Sequence, residues 1–137
     1  MDRLGRGCVI YPRDVETLVF DWGRIRLLSE PKLTGAERMT FGLVELAPGK
    51  GHDRHNHPGT EEIIYVVSGE GEQMVDDQGP VHVGPGASIF VPTGVHHSTL
   101  NTGTEPMRLI VVYCPTGAER ALRSAPDCQI LPPQETA

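Results

Sequence analysis

The 137-residue sequence is poor in positive charge, which bears on the partners it can have. Lys32 and Lys50 are its two lysines, and 12 Lys and Arg residues stand against 18 Asp and Glu, for a formal net charge of −6. Proteins that grip a phosphate backbone or an anionic membrane usually carry a basic patch. The sequence has no basic run, so we expect neither nucleic acid nor a membrane as a partner.

Cysteine and long apolar segments are also scarce. Cys8, Cys114 and Cys128 are odd in number and far apart, and no C-x-x-C pair occurs, which argues against a disulfide framework and against a zinc knuckle. The first residues include no apolar run long enough for a signal peptide, and no later segment is long enough to span a bilayer. The sequence therefore predicts a cytoplasmic protein with reduced thiols.

Glycine and proline are abundant, with 16 and 12 residues, whereas segments with helical periodicity are few. This composition favours short strands and tight turns, as in a β-sandwich or barrel. The length suits one domain with a single core. We divide it into an N-terminal arm with outer strands (residues 1–38), a barrel (residues 39–115), and a short helix with a tail (residues 116–137).

The stretch over residues 49–69, GKGHDRHNHPGTEEIIYVVSG, carries three side chains with metal-ligand chemistry. His55 and His57 are two residues apart, so on an extended chain they share one face. A Pro-Gly-Thr turn follows, and the strand after it can bring Glu62 back beside the imidazoles. Two imidazoles and a carboxylate on one face suit a divalent transition metal that keeps open positions.

A second stretch, GASIFVPTGVHHSTLN over residues 86–101, offers a further ligand. It reads as a strand, a Pro-Thr-Gly turn and another extended run that carries His96 and His97. Neighbouring residues on a strand point to opposite faces, so only one of these two histidines can reach an interior metal without a bulge.

The two stretches resemble the two motifs of the cupin superfamily. The first resembles G-x5-H-x-H-x4-E-x6-G and the second resembles G-x5-P-x-G-x2-H-x3-N, with every fixed position filled in the family's order. The matched positions are Gly49, His55, His57, Glu62 and Gly69, then Gly86, Pro92, Gly94, His97 and Asn101. The resemblance covers roughly residues 40–115, most of the chain.

This resemblance implies an all-β fold, the double-stranded β-helix of the jelly-roll or cupin barrel. It also implies one divalent transition metal per chain (Fe, Mn, Ni or Zn), with His55, His57, Glu62 and His97 as ligands. In many cupins the N-terminal strands pack on a second subunit, so residues 1–38 are the candidate contact of a homodimer. The alternative for that segment is an ordinary outer strand, with Trp22 on a solvated face beside two arginines.

An octahedral ion held by four such ligands keeps two open positions, which suit a small oxygen-rich molecule. The best single prediction is a dioxygenase. One alternative is a metal-dependent isomerase, lyase or decarboxylase. Another is a non-catalytic cupin that binds a metal and a small ligand.

Further residues are candidates for chemistry or for contact with substrate. His52 lies in the loop before the first motif, and its ordinary pKa near neutrality suits proton transfer, with a solvated loop histidine as the alternative. Tyr65 is the weaker candidate, because strand alternation turns it away from the Glu62 face. By expected proximity, the candidates for lining the substrate pocket are Phe41, Gln73, Phe90 and Tyr113, for each of which plain core is the alternative.

Overall fold

Two antiparallel sheets of unequal size build the molecule, for which a computed structural model describes residues 1–134. The strands are β1 (Asp2–Leu4), β2 (Gly7–Val9), β3 (Thr17–Phe20), β4 (Gly23–Ser29), β5 (Thr40–Leu46), β6 (Glu61–Ser68), β7 (Gly71–Val75), β8 (Gln78–Val83), β9 (Ser88–Val91), β10 (His97–Asn101), β11 (Met107–Cys114) and β12 (Gln129–Leu131). The helical segments are a 3₁₀ turn (Pro12–Asp14), α1 (Pro31–Thr34) and α2 (Ala118–Ser124).

The larger sheet has the strand order β12-β3-β4-β5-β11-β6-β9, and the smaller has the order β10-β7-β8. The chain passes from the large sheet to the small sheet between β6 and β7 and returns between β8 and β9. It then enters the small sheet again for β10 and returns to the large sheet with β11, which is the connectivity of the predicted jelly roll. The hairpin β1–β2 stands apart from both sheets. Neither helix described between residues 1 and 134 is long and apolar enough to cross a membrane.

The apolar core lies on the inner face of the large sheet, where strand alternation places every second side chain. On the central strand β11, buried and less buried residues alternate from Met107 to Cys114, and β5 alternates in the same way beside it. Burying one such Val, Leu or Ile side chain stabilises a fold by about 1.5–3 kcal/mol. The core therefore holds β5, β6 and β11 as the rigid wall on which the site is built.

The barrel is closed at one corner by Asn101, which is fully buried. Its Nδ2 donates to the carbonyl oxygens of Leu46 at 3.0 Å and Glu105 at 2.8 Å, and its Oδ1 accepts from the Gly103 amide at 2.9 Å. The side chain thus satisfies three backbone groups where β5 ends and the turn before β11 begins.

Trp22 departs from the prediction made from alternation. The sequence predicted that it shares a face with the arginines of β4, but it is buried. Phe20 pairs with Gly23, so Asp21 and Trp22 form a two-residue hairpin turn, and the alternation restarts after it. Gly23 is required there, because a Cβ at this position would lie 1.9 Å from the carbonyl oxygen of Glu45.

Candidate metal centre

Three imidazoles meet between the sheets, contributed by two separate parts of the chain. His55, His57 and His97 each offer a ligand atom, and these atoms all lie within 4.8 Å of one another. His97 begins β10, whereas the other two lie in the loop that precedes β6. That loop is not a regular strand: within it, His55 forms an isolated backbone pair with His97. The sequence thus predicted the shared site, although the continuous strand assumed for His55 and His57 is wrong.

Glu62 completes the cluster from the wall of the large sheet. It is the first inward-facing residue of β6, and its neighbour Glu61 points to solvent. Its Oε1 lies 3.0 Å from Nε2 of His97 and 3.4 Å from Nε2 of His57. The structure therefore brings together all four residues that the cupin motifs predicted as ligands.

Backbone carbonyls orient two of the imidazoles. Nδ1 of His55 lies 2.7 Å from the carbonyl oxygen of Asp53, and Nδ1 of His97 lies 3.1 Å from that of Val95. A carbonyl only accepts, so each Nδ1 carries the proton in these contacts and leaves Nε2 as the ring's lone-pair donor. Ligating histidines in metal sites are commonly held in this way.

Three of the converging atoms are buried and have no hydrogen-bond partner among the described residues, namely His57 Nε2, Glu62 Oε1 and His97 Nε2. They are close to one another, but their alignment is poor for hydrogen bonds. A buried polar atom without a partner costs about 1–3 kcal/mol. A divalent transition metal would satisfy these atoms together, and imidazole with carboxylate is a donor set that such ions accept. The residues present therefore fit the metal that the sequence predicted.

Burial and mutual charge set the protonation of the cluster. Burial, together with the neighbouring imidazoles of His52 and His97, lowers the pKa of His55 to about 3. Burial alone would raise the pKa of Glu62, but its contacts with His57 and His97 outweigh burial and lower it. Burial would lower the pKa of His97, but Glu62 raises it. Glu62 and His97 thus each favour the charged form of the other, so protonation of His97 competes with metal binding.

A cavity of about 40 Å³ adjoins the cluster. Such a space holds about three water molecules. Its aliphatic walls are Ile25, Val44, Leu46, Ile64, Leu109 and Val111. Among the residues described, no lysine or arginine lines it.

Tyr113 and His52 are the two predicted candidates that reach this cavity. The Tyr113 ring packs edge-on against His57, with centroids 5.1 Å apart, and burial with the nearby Glu62 raises the pKa of its phenol. The His52 ring stacks on His55 at 3.8 Å and on Trp22 at 4.7 Å. Burial, followed by the charge of His57, lowers the pKa of His52, so its imidazole is neutral at neutral pH.

Four other candidates do not line this cavity. Phe90 and Tyr65 are 55% and 41% exposed on the outer face of the large sheet, and Phe41 is half-buried on that face, because their inward neighbours take the interior positions. Gln73 points inward, but its Oε1 accepts from Thr99 Oγ1 at 2.5 Å. Thr99 is the residue that lines the cavity in its place.

Besides the aliphatic walls, Thr99 and Trp22 are cavity residues that were not predicted from the sequence. Thr99 lies two residues after His97 on β10, so alternation from His97 would have identified it. Trp22 had no comparable signal, because its position depends on the two-residue turn before Gly23. It joins a stack in which Phe20, Trp22, His52 and His55 follow one another with centroid separations of 4.6, 4.7 and 3.8 Å.

Comparison with known proteins agrees with this geometry. A cupin domain model matches residues 42–113, a range that includes all four candidate ligands. The chain is 34% identical to protein SchB of Streptomyces halstedii over 88 residues, which are 64% of this chain and 63% of that protein. It is 29% identical to polyketide synthase CurC of Streptomyces cyaneus over 123 residues, 89% of this chain and 78% of that protein.

Among solved structures, the polyketide cyclase RemF from Streptomyces resistomycificus superposes with a TM-score of 0.67 at 28% identity. The match covers 83% of this chain and 79% of that one. The match to SchB spans less than two thirds of that protein's length. Since the domain model covers more than half of the sequence and both ligand motifs occupy the expected places in the barrel, this chain belongs to the cupin family.

Proposed function

We propose that this chain is a metal-dependent cupin enzyme that acts on a small carbonyl-bearing substrate without using dioxygen. The observation that carries the proposal is the convergence of three imidazoles and one carboxylate, with three unpartnered buried atoms, beside a cavity whose other walls are mainly apolar. His55, His57, Glu62 and His97 would hold the ion. When bound, a divalent metal supplies Lewis-acid stabilisation of negative charge that develops on a carbonyl oxygen.

The side chains around the ion suit proton transfer at a carbon next to a carbonyl group. His52 is the proton-acceptor candidate, because it lines the cavity beside His55 and its imidazole is neutral. Tyr65 is no longer a candidate, since it faces outward. Tyr113 offers a neutral phenol on the Glu62 side, which can donate a hydrogen bond to a substrate oxygen. The aliphatic walls leave room for only about three water molecules, and a site with little water strengthens the electrostatic interactions within it.

The chemistry of the walls narrows the substrate class. A cavity without lysine or arginine is a poor site for a phosphate or a free dicarboxylate, whereas it suits the carbonyl groups of an otherwise apolar chain. A volume of about 40 Å³ admits only a short part of such a molecule. Polyketide chains have this character, and two of the relatives above are named as a polyketide synthase protein and a polyketide cyclase. We therefore favour a polycarbonyl substrate and a lyase- or isomerase-type reaction.

The dioxygenase prediction has less support than its alternative, because none of the three relatives named above is named as a dioxygenase. To distinguish the dioxygenase from the lyase or isomerase, the metal-free protein is loaded under argon with zinc, manganese, nickel or ferrous iron. Deuterium exchange at the carbon between two carbonyls is then followed by NMR in a 1,3-diketone and in a longer polyketone. We expect exchange faster than in the protein-free solution, dependent on metal and independent of dioxygen.

The matched variants are His97→Ala, which should abolish the exchange, and His96→Ala, which should not, because His96 is exposed beside it. Dioxygen uptake that requires both iron and substrate would instead support the dioxygenase. Binding of the polyketone without exchange under every metal would favour the non-catalytic binding cupin.

A further inference from the structure

The mouth of the metal cavity lies at two histidines. Among the described residues that line the cavity, His52 and His55 are half-buried, and all the others are buried. A ligand therefore has to enter past one of these two imidazoles. His55 is fixed, because its ring bonds the Asp53 carbonyl oxygen and its backbone pairs with His97. The imidazole that can give way is the one of His52.

His52 fills a gap between two other rings, which we call the ring slot. On one side the Trp22 indole lies 4.7 Å away between centroids, with the two planes 19° apart. On the other side the His55 imidazole lies 3.8 Å away, with the planes 29° apart. Phe20 supports the far face of the indole at 4.6 Å, and the Trp22 carbonyl oxygen accepts from the Ala47 amide at 2.9 Å. Both walls of the ring slot are thus fixed.

The ring that fills the slot is held less firmly than its walls. Within residues 1–134, the His52 side chain makes no hydrogen bond, so stacking is what retains it. The two residues that follow it, Asp53 and Arg54, are exposed, which places the imidazole at the edge of the solvent. Side chains at such positions change rotamer within picoseconds to nanoseconds. A turn of the His52 side chain towards the solvent would therefore empty the slot without moving the backbone.

We propose that the ring slot is a binding subsite for one planar, conjugated group of the substrate, which enters as His52 turns out of the stack. The subsite rests on the proposed function, since the carbonyl groups of the same molecule would lie in the metal cavity. Two nearly parallel rings separated by the thickness of one imidazole accept a flat group between their faces. A saturated ring is thicker, because hydrogen atoms project from both of its faces, and it makes no aromatic stack.

The subsite also explains how a small cavity can serve a longer molecule. A volume of about 40 Å³ takes only a short dicarbonyl segment, so the rest of a longer substrate has to leave through the mouth. The ring slot lies at that mouth. A short diketone leaves His52 in place, where it is the proton-acceptor candidate, whereas a substrate with a planar group moves the imidazole to the rim of the slot.

The test compares two ligands that differ in the flatness of one ring, 1-phenyl-1,3-butanedione and 1-cyclohexyl-1,3-butanedione. Calorimetry with the zinc-loaded full-length chain gives the dissociation constant of each. We expect the phenyl compound to bind about tenfold more tightly, the scale of one or two aromatic stacking contacts. Both ligands carry the same dicarbonyl group and both must displace His52, so the difference between them reports the stacking.

Variants of the slot and of its filling ring identify the residues responsible. Trp22→Leu removes a flat wall and should abolish most of the preference for the phenyl compound, whereas Trp22→Phe keeps a flat wall and should retain it. His52→Ala should tighten binding of the phenyl compound severalfold, because no ring has to be displaced. The matched control is His82→Ala, an exposed residue of β8, which should change neither affinity. Circular dichroism shows whether each variant is folded, and the Phe and Ala variants keep the test decisive if Trp22→Leu unfolds.

NMR of the same zinc-loaded complex locates the phenyl group directly. Its proton signals should shift upfield and show nuclear Overhauser contacts with the indole of Trp22. Equal affinities for the two diketones, no binding of either, or a preference that Trp22→Leu leaves unchanged would overturn the subsite. A phenyl preference without deuterium exchange would support the subsite and count against the enzyme proposed above. Exchange without that preference would support the enzyme and overturn the subsite.

Discussion

His55 and His97 are paired through their backbones, and the centroids of their imidazole rings lie 4.3 Å apart. The His97 amide donates to the carbonyl oxygen of His55 at 2.8 Å, and the His55 amide donates to that of His97 at 3.1 Å. This pair fixes the loop before β6 against the first residue of β10. The positions of two candidate ligands therefore depend on one backbone register, which a second isolated pair between Gly51 and Leu100 reinforces.

The contact at Gly51 leads to a prediction about the loop. A Cβ at this position would lie 2.1 Å from the carbonyl oxygen of Thr99, which neither backbone can accommodate without moving. We expect Gly51→Ala to lower the free energy of unfolding by roughly 1–3 kcal/mol and to weaken metal binding, because the loop and β10 separate. Chemical denaturation and metal titration measure the two effects. The control is Gly7→Ala, where the nearest atom to a new Cβ is 3.5 Å away.

The histidine cluster predicts close to one transition metal ion per chain in protein purified without chelators. His57→Ala should reduce affinity by more than the roughly 10–100-fold typical of losing an outer hydrogen-bond partner, since it removes a donor atom outright. Elemental analysis and competition with a chromogenic chelator provide the measurement. His82→Ala should retain the metal, because His82 is an exposed residue of β8. Equal metal content in both variants would count against the assignment.

Glu62 should govern the charge of its neighbours. Glu62→Gln keeps the shape of the side chain but removes the charge that raises the pKa of His97. Burial then dominates, so we expect the pKa of His97 in the metal-free protein to fall below its ordinary value, as followed by NMR titration. Metal affinity should fall as well. Glu61→Gln changes the adjacent exposed carboxylate and should alter neither quantity.

The stability of the metal-free protein should decrease in acid because of His55. Its pKa is lowered to about 3 in the folded protein, whereas an unfolded chain has the ordinary value near 6.5. The unfolded state therefore takes up a proton first, and the folded state loses stability as the pH falls from about 6.5 towards 3. The pKa of Glu62 is also lowered, so Glu62 likewise destabilises the folded state when the pH falls below the ordinary pKa of a glutamate.

The raised pKa of His97 acts in the opposite direction. It contributes stability that is complete below its ordinary pKa and is lost as the pH rises through its folded value. Denaturant titrations at several pH values, with His55→Gln as the comparison, separate these contributions. A variant whose acid sensitivity equals that of the wild type would contradict the role given to His55.

Much of the site could be predicted from the sequence, because alternation and motif spacing are local properties. Strand geometry allows only one residue of each neighbouring pair, Glu61 and Glu62 or His96 and His97, to face inward, and the spacing of the cupin motifs selects Glu62 and His97. What could not be predicted depends on contacts between distant segments. The turn that buries Trp22 exists because Gly23 lies against the backbone of β5.

The errors in the predicted pocket have the same origin. Phe41 and Phe90 are large and apolar, which made them plausible core residues. In the structure they face outward, and the small or aliphatic residues next to them on their strands face the interior. The register between strands decides which face each side chain takes, and a shift of one residue turns a side chain to the opposite face. The same strand register leaves Phe90 exposed on the outer face of the large sheet.

The stack that runs from Phe20 to His55 gives this protein an optical probe of its own. Trp22 is the one tryptophan in the sequence, and its indole is separated from the ligand His55 by a single imidazole ring. Its fluorescence will therefore respond to the protonation of His52 and to quenching by a transition metal at the cluster. Metal loading, substrate entry and chelator extraction can each be followed by emission in real time, with no label attached to the chain.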